Sequence, residues 1–327
     1  MLAVAAALAV LAIALAWPVP VALAKASWPR RMPGAALVLW QAIALSGGLS
    51  MIGSLLVFGL MPFGDDLPHA ASAFTADLVA GRLPPAASFP EMFALAGAIL
   101  LGVHLLLNLV RTAWRAERQR RRHAQLLRLL SDPLPDRPGT RVIDHAAPVA
   151  YCLPGVPRSV TVLSAGLLDL LSDEELAAVV AHERAHVQQH HHVLLVAFSA
   201  WRSALPWFPI ATRAHDAVGL LVELLADDQA RRTVSERNLS RAVARVALAT
   251  SESSMPEDSD RDMALSSAVA SGGAAVPASA GEWADARVTR LTEVAEPASP
   301  ALRLAVLASA AALVAVPTLM LLSPAVR

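Results

Sequence analysis

Residues 182–186 read His-Glu-Arg-Ala-His, two histidines four apart with a glutamate beside the first. On a helix, side chains four apart lie on one face, so both imidazoles can reach a single Zn²⁺ at about 2.0–2.1 Å. Glu183 stands next to the pair, where it can take a proton from an attacking water. This pattern serves metal-assisted hydrolysis. Three fixed residues recur by chance in about one or two of every hundred chains of this length, so the neighbouring sequence must carry part of the weight.

A hydrolytic zinc centre needs a third protein ligand and one open position. Two residues compete for that role. His192 stands where the pattern H-E-x-x-H-x-x-G-x-x-H places its third histidine, but Gln189 occupies the position where that pattern needs a glycine to turn the chain. The run His190-His191-His192 reads more easily as a polar helix end near charged lipid. The second candidate is Glu223, with Asp227 one helical turn on and Leu220, Leu221, Leu224 and Leu225 around them. Burying two carboxylates among leucines is costly without a partner. A metal and its histidines supply one, which favours Glu223. Asp227 would then hold a ligand histidine by its free ring N–H.

These residues need helices under them. Ser172 followed by Glu175 is a capping box, and it opens a long helix through Leu176, Val179 and Val180 into the motif. A second helix is predicted over 217–234. Upstream, a helix is predicted at 124–133 and strands at 141–143, 149–152 and 159–163, the last β-branched and alternating. Ser164 can cap a short helix over 166–171. The segment is therefore expected to be α+β.

The rest of the chain is of another character. Of 327 residues, 55% are hydrophobic and 17% charged, and the mean hydropathy is +0.50. Soluble domains carry about 25% charged residues. Four apolar runs account for the difference: Leu2–Ala24, Ala35–Phe63, Met92–Val110 and Leu304–Val326. Each reaches the roughly 20 residues that cross a bilayer core. The first could be a signal peptide ending at Ala22-Leu23-Ala24, but no Lys or Arg precedes it, which favours a retained helix. Lys25, Arg30 and Arg31 follow run one, and six arginines between Arg111 and Arg122 follow run three. The 64–91 loop is acidic, with Asp65, Asp66, Asp77 and Glu91 against Arg82. The positive-inside rule then places both termini outside and 111–303 inside.

The expected architecture is a mainly α membrane protein, with four transmembrane helices plus a cytosolic α+β domain that carries the zinc site. Residues 1–110 hold three spans, 111–303 the hydrolytic domain with a flexible Ser/Ala/Gly-rich loop at 251–281, and 304–327 the fourth span and a short tail. His104 and Asn108, four apart in run three, are expected to hydrogen-bond to a neighbouring helix. Lys+Arg and Asp+Glu balance at 27 each and aromatics are 5%. Neither supports direct nucleic-acid binding. The arginine cluster beside a span suits lipid headgroups. The one cysteine, Cys152, excludes an intrachain disulfide scaffold. The spans hold too few polar residues for a transporter. The oligomeric state is not legible.

The segments V-V-A-H-E-R-A-H (179–186), L-P-W-F-P-I (205–210) and E-L-L-A-D-D-Q-A (223–230) occur in the order of one family. The chain resembles the membrane zinc peptidases of the BlaR/MecR type. It is more distantly similar to HtpX-like and CAAX-processing gluzincins. The resemblance implies a gluzincin core with His182, His186 and Glu223 on Zn²⁺ and Glu183 as base. It also implies a multi-pass protein of the bacterial plasma membrane, its peptidase domain facing the cytoplasm. Trp207-Phe208-Pro209 matches the family's aromatic-proline element, and Arg287-Val288-x-Arg290-Leu291 its late basic helix. The strand at 159–163 is expected beside the cleft, with substrate adding to its edge. The oxyanion donor is not identified; Tyr151 and His215 are candidates. The BlaR/MecR receptors carry a penicillin-binding domain after their last span, whereas here the sequence stops at Arg327 with no outside S-x-x-K, so covalent β-lactam sensing is not expected. The expected partners are the lipid bilayer and a protein substrate, a winged-helix repressor. Membrane-protein quality control and an inactive zinc-binding scaffold are the rivals.

Overall fold

The structure, a computed structural model, describes residues 1–82, 88–135, 137–153, 159–206, 209–253, 280–293 and 299–322. The chain divides into two compact units. Met1–Val110, Trp201–Ala214 and Ala298–Arg327 form one, and Arg111–Ala200 with His215–Pro297 form the other.

The first unit is helical. Its elements are α1 (Leu2–Ala16), α2 (Pro18–Lys25), α3 (Trp28–Arg31), α4 (Pro33–Leu60), α5 (Leu67–Val79), the first half of α6 (Phe89–Leu130) and α13 (Pro300–Leu322). Among the described residues, four stretches are long and apolar enough to cross a membrane: Leu2–Lys25, Pro33–Phe63, Phe89–Leu130 and Pro300–Leu322. Val10, Leu100 and Leu304 on them are 68–70% exposed. Apolar surface on that scale is rare on a soluble monomer and suits a hydrocarbon solvent. The first run breaks at Trp17, after which Pro18 starts α2, since proline fits a first helical turn. α1 and α13 pack on α4, and Ser46 Oγ donates to the Leu313 carbonyl at 2.7 Å. His104 Nε2 meets the Ala204 carbonyl at 3.2 Å, and Asn108 Nδ2 donates to Ser203 Oγ at 2.9 Å. His104 and Asn108 are thus both bonded to a neighbouring helix, as expected.

Helix α5 was not expected inside the 64–91 loop. Asp66 starts it by accepting from the His69 N–H at 2.9 Å, a local cap that apolar periodicity does not register. Likewise, α6 runs unbroken for 42 residues. The helix expected separately at 124–133 is its final part, and Ser131–Pro133 is strand.

The second unit is built on a four-stranded sheet, β1 (Ser131–Pro133), β2 (Thr140–Ile143), β3 (Ala150–Leu153) and β4 (Val160–Ser164). The order is β1-β2-β4-β3. β2 and β4 run parallel, and the other pairs are antiparallel. This corrects the expected substrate edge. β4 is paired on both sides, Thr140↔Thr161 with β2 and Cys152↔Thr161 with β3, so its main-chain groups are taken. Among the described residues, the strand with one neighbour on that side of the sheet is β3.

Alternation sends successive side chains to opposite faces. Val162, Tyr151, Leu153 and Ile143 pack with Leu127 at the end of α6. Leu163 packs with Leu167, Leu171, Leu176, Val180 and Ala242. Those residues belong to α7 (Ala165–Leu170), α8 (Asp173–Gln188) and α11 (Glu236–Ser253) and the turn between the first two. The tight β4–α7 corner needs Gly166, because a Cβ there would lie 1.8 Å from the Ala146 carbonyl oxygen. Ser164 accepts from the Leu167 N–H, and Ser172 and Glu175 form the expected capping box. After α8 come α9 (His191–Ala204), α10 (Pro209–Ala230), α11 and α12 (Ala280–Thr292). α10 starts eight residues before the predicted 217. Of the expected loop at 251–281, the two ends are helical, in α11 and α12, and 254–279 lie outside the described residues. Trp207 and Phe208 also lie outside them.

Candidate metal centre

α8 presents His182 and His186 one turn apart, and α10 presents Glu223 and Asp227 one turn apart. Small residues let the helices around them approach: Ala178 and Ala230 meet in a buried cluster with Leu239 and Leu291. His182 Nε2 lies 3.2 Å from Glu223 Oε2, His186 Nε2 lies 3.5 Å from Glu223 Oε1, and the two Nε2 atoms are 3.1 Å apart. One ligand atom from each of His182, His186 and Glu223 falls within a 4.8 Å span. Two imidazole nitrogens and a carboxylate converging on one point are a donor set suited to Zn²⁺. The ring nitrogens that face away also fit. His182 Nδ1 is 2.8 Å from Asp227 Oδ1, and His186 Nδ1 is 3.1 Å from His191 Nδ1.

His192 is not part of this group; it is exposed on α9, near Arg120, His190 and Glu117. The histidine run follows the end of α8, as expected, with His190 and His192 exposed. His190 adopts φ 54°, in the left-handed region, in the turn between α8 and α9. The next residue, His191, lies in the interior at 2% exposure. Nothing in a run of three histidines distinguishes the buried one.

The residue that sequence reasoning undervalued is Arg287. It lies on α12, about sixty residues beyond α10 in the chain. Its Nε and Nη2 donate to the two oxygens of Asp227 at 2.8 and 2.7 Å, and Nη1 lies 3.1 Å from Glu223 Oε2. Gly219 makes this possible. A Cβ there would meet the far end of the Trp283 ring at 2.4 Å, so glycine leaves room for the indole of α12 to lie against α10. One turn further along each helix, Arg287 reaches Glu223, and Asp227 lies one turn beyond that. Arg290 grips Asp228 with two bonds of 2.8 and 2.9 Å. Resemblance marked Arg287 as part of a basic helix, and the fold makes it a partly buried counter-ion, its side chain 15% exposed.

The charges interlock. Burial favours the neutral form of Glu223 and Asp227, yet the cations around them, Arg287 and the histidines, hold both carboxyls well below their usual range. Burial and the Arg287 charge push the His182 imidazolium down, and Asp227 and Glu223 more than offset both, carrying it to about 9. Burial lowers His186 to about 3. Glu183, on the same turn, is pushed up to about 7 by burial, with Glu223 and Asp227 adding to the effect. A base suits proton transfer when its pKa lies near the working pH. Tyr151 is not at the centre. It is 7% exposed on the sheet face turned toward α6, and its hydroxyl lies 2.7 Å from His123 Nε2.

Residues 115–214 match the family model of peptidase family M48. The matched stretch contains His182, Glu183 and His186 and ends nine residues before Glu223. The match supports the M48 zinc metallopeptidase family, and with it the resemblance to zinc peptidases read from the motifs. No solved structure matches the chain.

Proposed function

We propose that this M48-like chain is an integral-membrane zinc endopeptidase. Its metal is held by His182, His186 and Glu223, and Glu183 is its general base. The observation that carries the reading is the convergence of three ligand atoms within 4.8 Å while each outward ring nitrogen has its own partner. Zinc bound there supplies a Lewis acid that polarises a peptide carbonyl and brings the pKa of a water toward 7. Glu183 takes the proton of the attacking water and delivers it to the leaving amine. Asp227 fixes the His182 ring by accepting from Nδ1–H, and Arg287 keeps Asp227 ionised and oriented. An extended substrate adds to β3, whose outer main-chain groups are unpaired among the described residues.

Metal analysis of purified protein tests the ligand set. Single alanine changes at His182, His186 and Glu223 should each lose most of one bound zinc, because three ligands leave no spare. Asp227→Ala should weaken binding by about 10–100-fold. His192→Ala should bind like wild type. A zinc-free His192→Ala beside a zinc-loaded Glu223→Ala would overturn the assignment.

The proposed orientation places the metal centre inside the cell. The support is the charge asymmetry of the loops, read with the four spans. With Cys152 first changed to Ser, a membrane-impermeant thiol reagent should label a cysteine at Ala76 in intact cells and leave one at Ser235 unlabelled. Both positions are exposed, so protection at Ser235 reports the membrane rather than burial.

The proposed substrate is a cytosolic regulator of the winged-helix repressor class, cut near the inner membrane surface. Support comes from that orientation and from the resemblance to the BlaR/MecR-type peptidases. Peptide termini from cells carrying wild-type or Glu183→Ala protein should differ at one or few sites in a soluble regulator. Fragments of many membrane proteins, with no cleaved regulator, would establish quality control instead.

A further inference from the structure

We infer that His191 is a positioning residue for the metal centre, locking His186 in the tautomer whose Nε2 lone pair is free to ligate. The inference rests on His186 being a ligand, as proposed above. It begins from the contact between two like atoms, His186 Nδ1 and His191 Nδ1, 3.1 Å apart. Two imidazole nitrogens bond only when one carries the proton and the other does not. The direction is set one residue further along. His191 Nε2 lies 2.8 Å from Gln189 Oε1. An amide oxygen only accepts, so the proton of His191 is on Nε2 and its Nδ1 is bare. His186 must then donate from Nδ1, which leaves its Nε2 unprotonated. That Nε2 is the atom facing His182 Nε2 and Glu223.

The relay Gln189–His191–His186 does for one ligand what Asp227 does for the other, with a neutral acceptor in place of an anion. The backbone is committed to it. His190 is the one non-glycine residue with positive φ among the described residues, and the turn there sets His191 against the end of α8, in contact with His186 and Gln189. A left-handed conformation is unfavourable for a non-glycine residue, because its Cβ crowds the following carbonyl oxygen. The turn is held by main-chain bonds from His190 N to Val187 O and from Val193 N to His190 O. His191 is 2% exposed, so water does not compete for its ring nitrogens. Were the amide of Gln189 turned to present its NH₂, every proton in the chain would shift, and His186 Nε2 would carry one. Gln189 therefore decides whether the centre is competent to bind.

The test is zinc affinity by competition with a fluorescent chelator, together with the visible absorption bands of the Co²⁺-substituted protein. His191→Phe keeps the ring volume and removes the acceptor. It should weaken zinc binding about 10–100-fold and shift the Co²⁺ bands. His191→Asn, which restores an acceptor oxygen, should recover part of the loss. Gln189→Glu, an obligate acceptor, should bind at least as tightly as wild type, and Gln189→Lys, a donor only, should bind more weakly. The half-exposed Gln189 variants keep the test open should His191→Phe fail to fold. Wild-type affinity and unshifted Co²⁺ bands in His191→Phe and Gln189→Lys, with zinc lost in His186→Ala, overturn the relay alone. Zinc retained in His186→Ala overturns the ligand assignment instead.

Discussion

Glu183→Ala should lose about 10²–10⁴-fold of peptide turnover, the usual share of a general acid–base group, while keeping one zinc per chain. The separation follows from geometry. Glu183 shares a helical turn with His182 but is not among the three residues whose ligand atoms converge. Removing its carboxylate takes away the proton carrier and leaves the donor set intact. Burial, helped by Glu223 and Asp227, raises Glu183 to about 7. Losing it also removes one negative charge from a site rich in them, so zinc affinity should change little. Turnover of a peptide library and metal content, measured on the same preparation, check both halves. Full activity in the variant would make Glu183 a bystander and remove the proposed mechanism.

Arg287→Met should destabilise the metal-free protein by about 3–5 kcal/mol, the cost of leaving buried charge without its partner. The Asp227 side chain is 1% exposed and that of Arg287 15%, so solvent cannot replace the lost bonds. In the double variant Arg287→Met/Asp227→Leu, much of the loss should return, since a well-packed apolar pair avoids the desolvation penalty altogether. The pH dependence has a definite sign. Asp227 is held below 3.8 in the folded protein. Its contribution is therefore complete above about pH 4 and is lost as pH falls toward the folded pKa. Without Arg287 that pKa rises, and acid destabilisation should begin at higher pH. Thermal melting in detergent with chelator present, across pH 3–7, measures both effects. Melting within about 0.5 kcal/mol of wild type, inside the range of ordinary surface substitutions, would show that the arginine does not hold the site together.

The chemistry of the centre was legible because its parts are local. A helix puts residues four apart on one face, so His182, Glu183 and His186 declare a metal pattern without knowledge of the fold, and Glu223 with Asp227 declares a second face. The capping box at Ser172 and Glu175 is local too, as are four runs of apolar residues each long enough to cross a bilayer. What the sequence could not decide was anything set by contact between distant segments. Strand order made β4 an interior strand and gave the open edge to β3, since hydrogen-bond partners are chosen among strands rather than within one. Arg287 is one arginine among many until Gly219 admits Trp283 and brings α12 against α10. His191 is one histidine of three until the left-handed turn at His190 carries it inward, because burial is a property of where the chain returns and not of the residue that is buried.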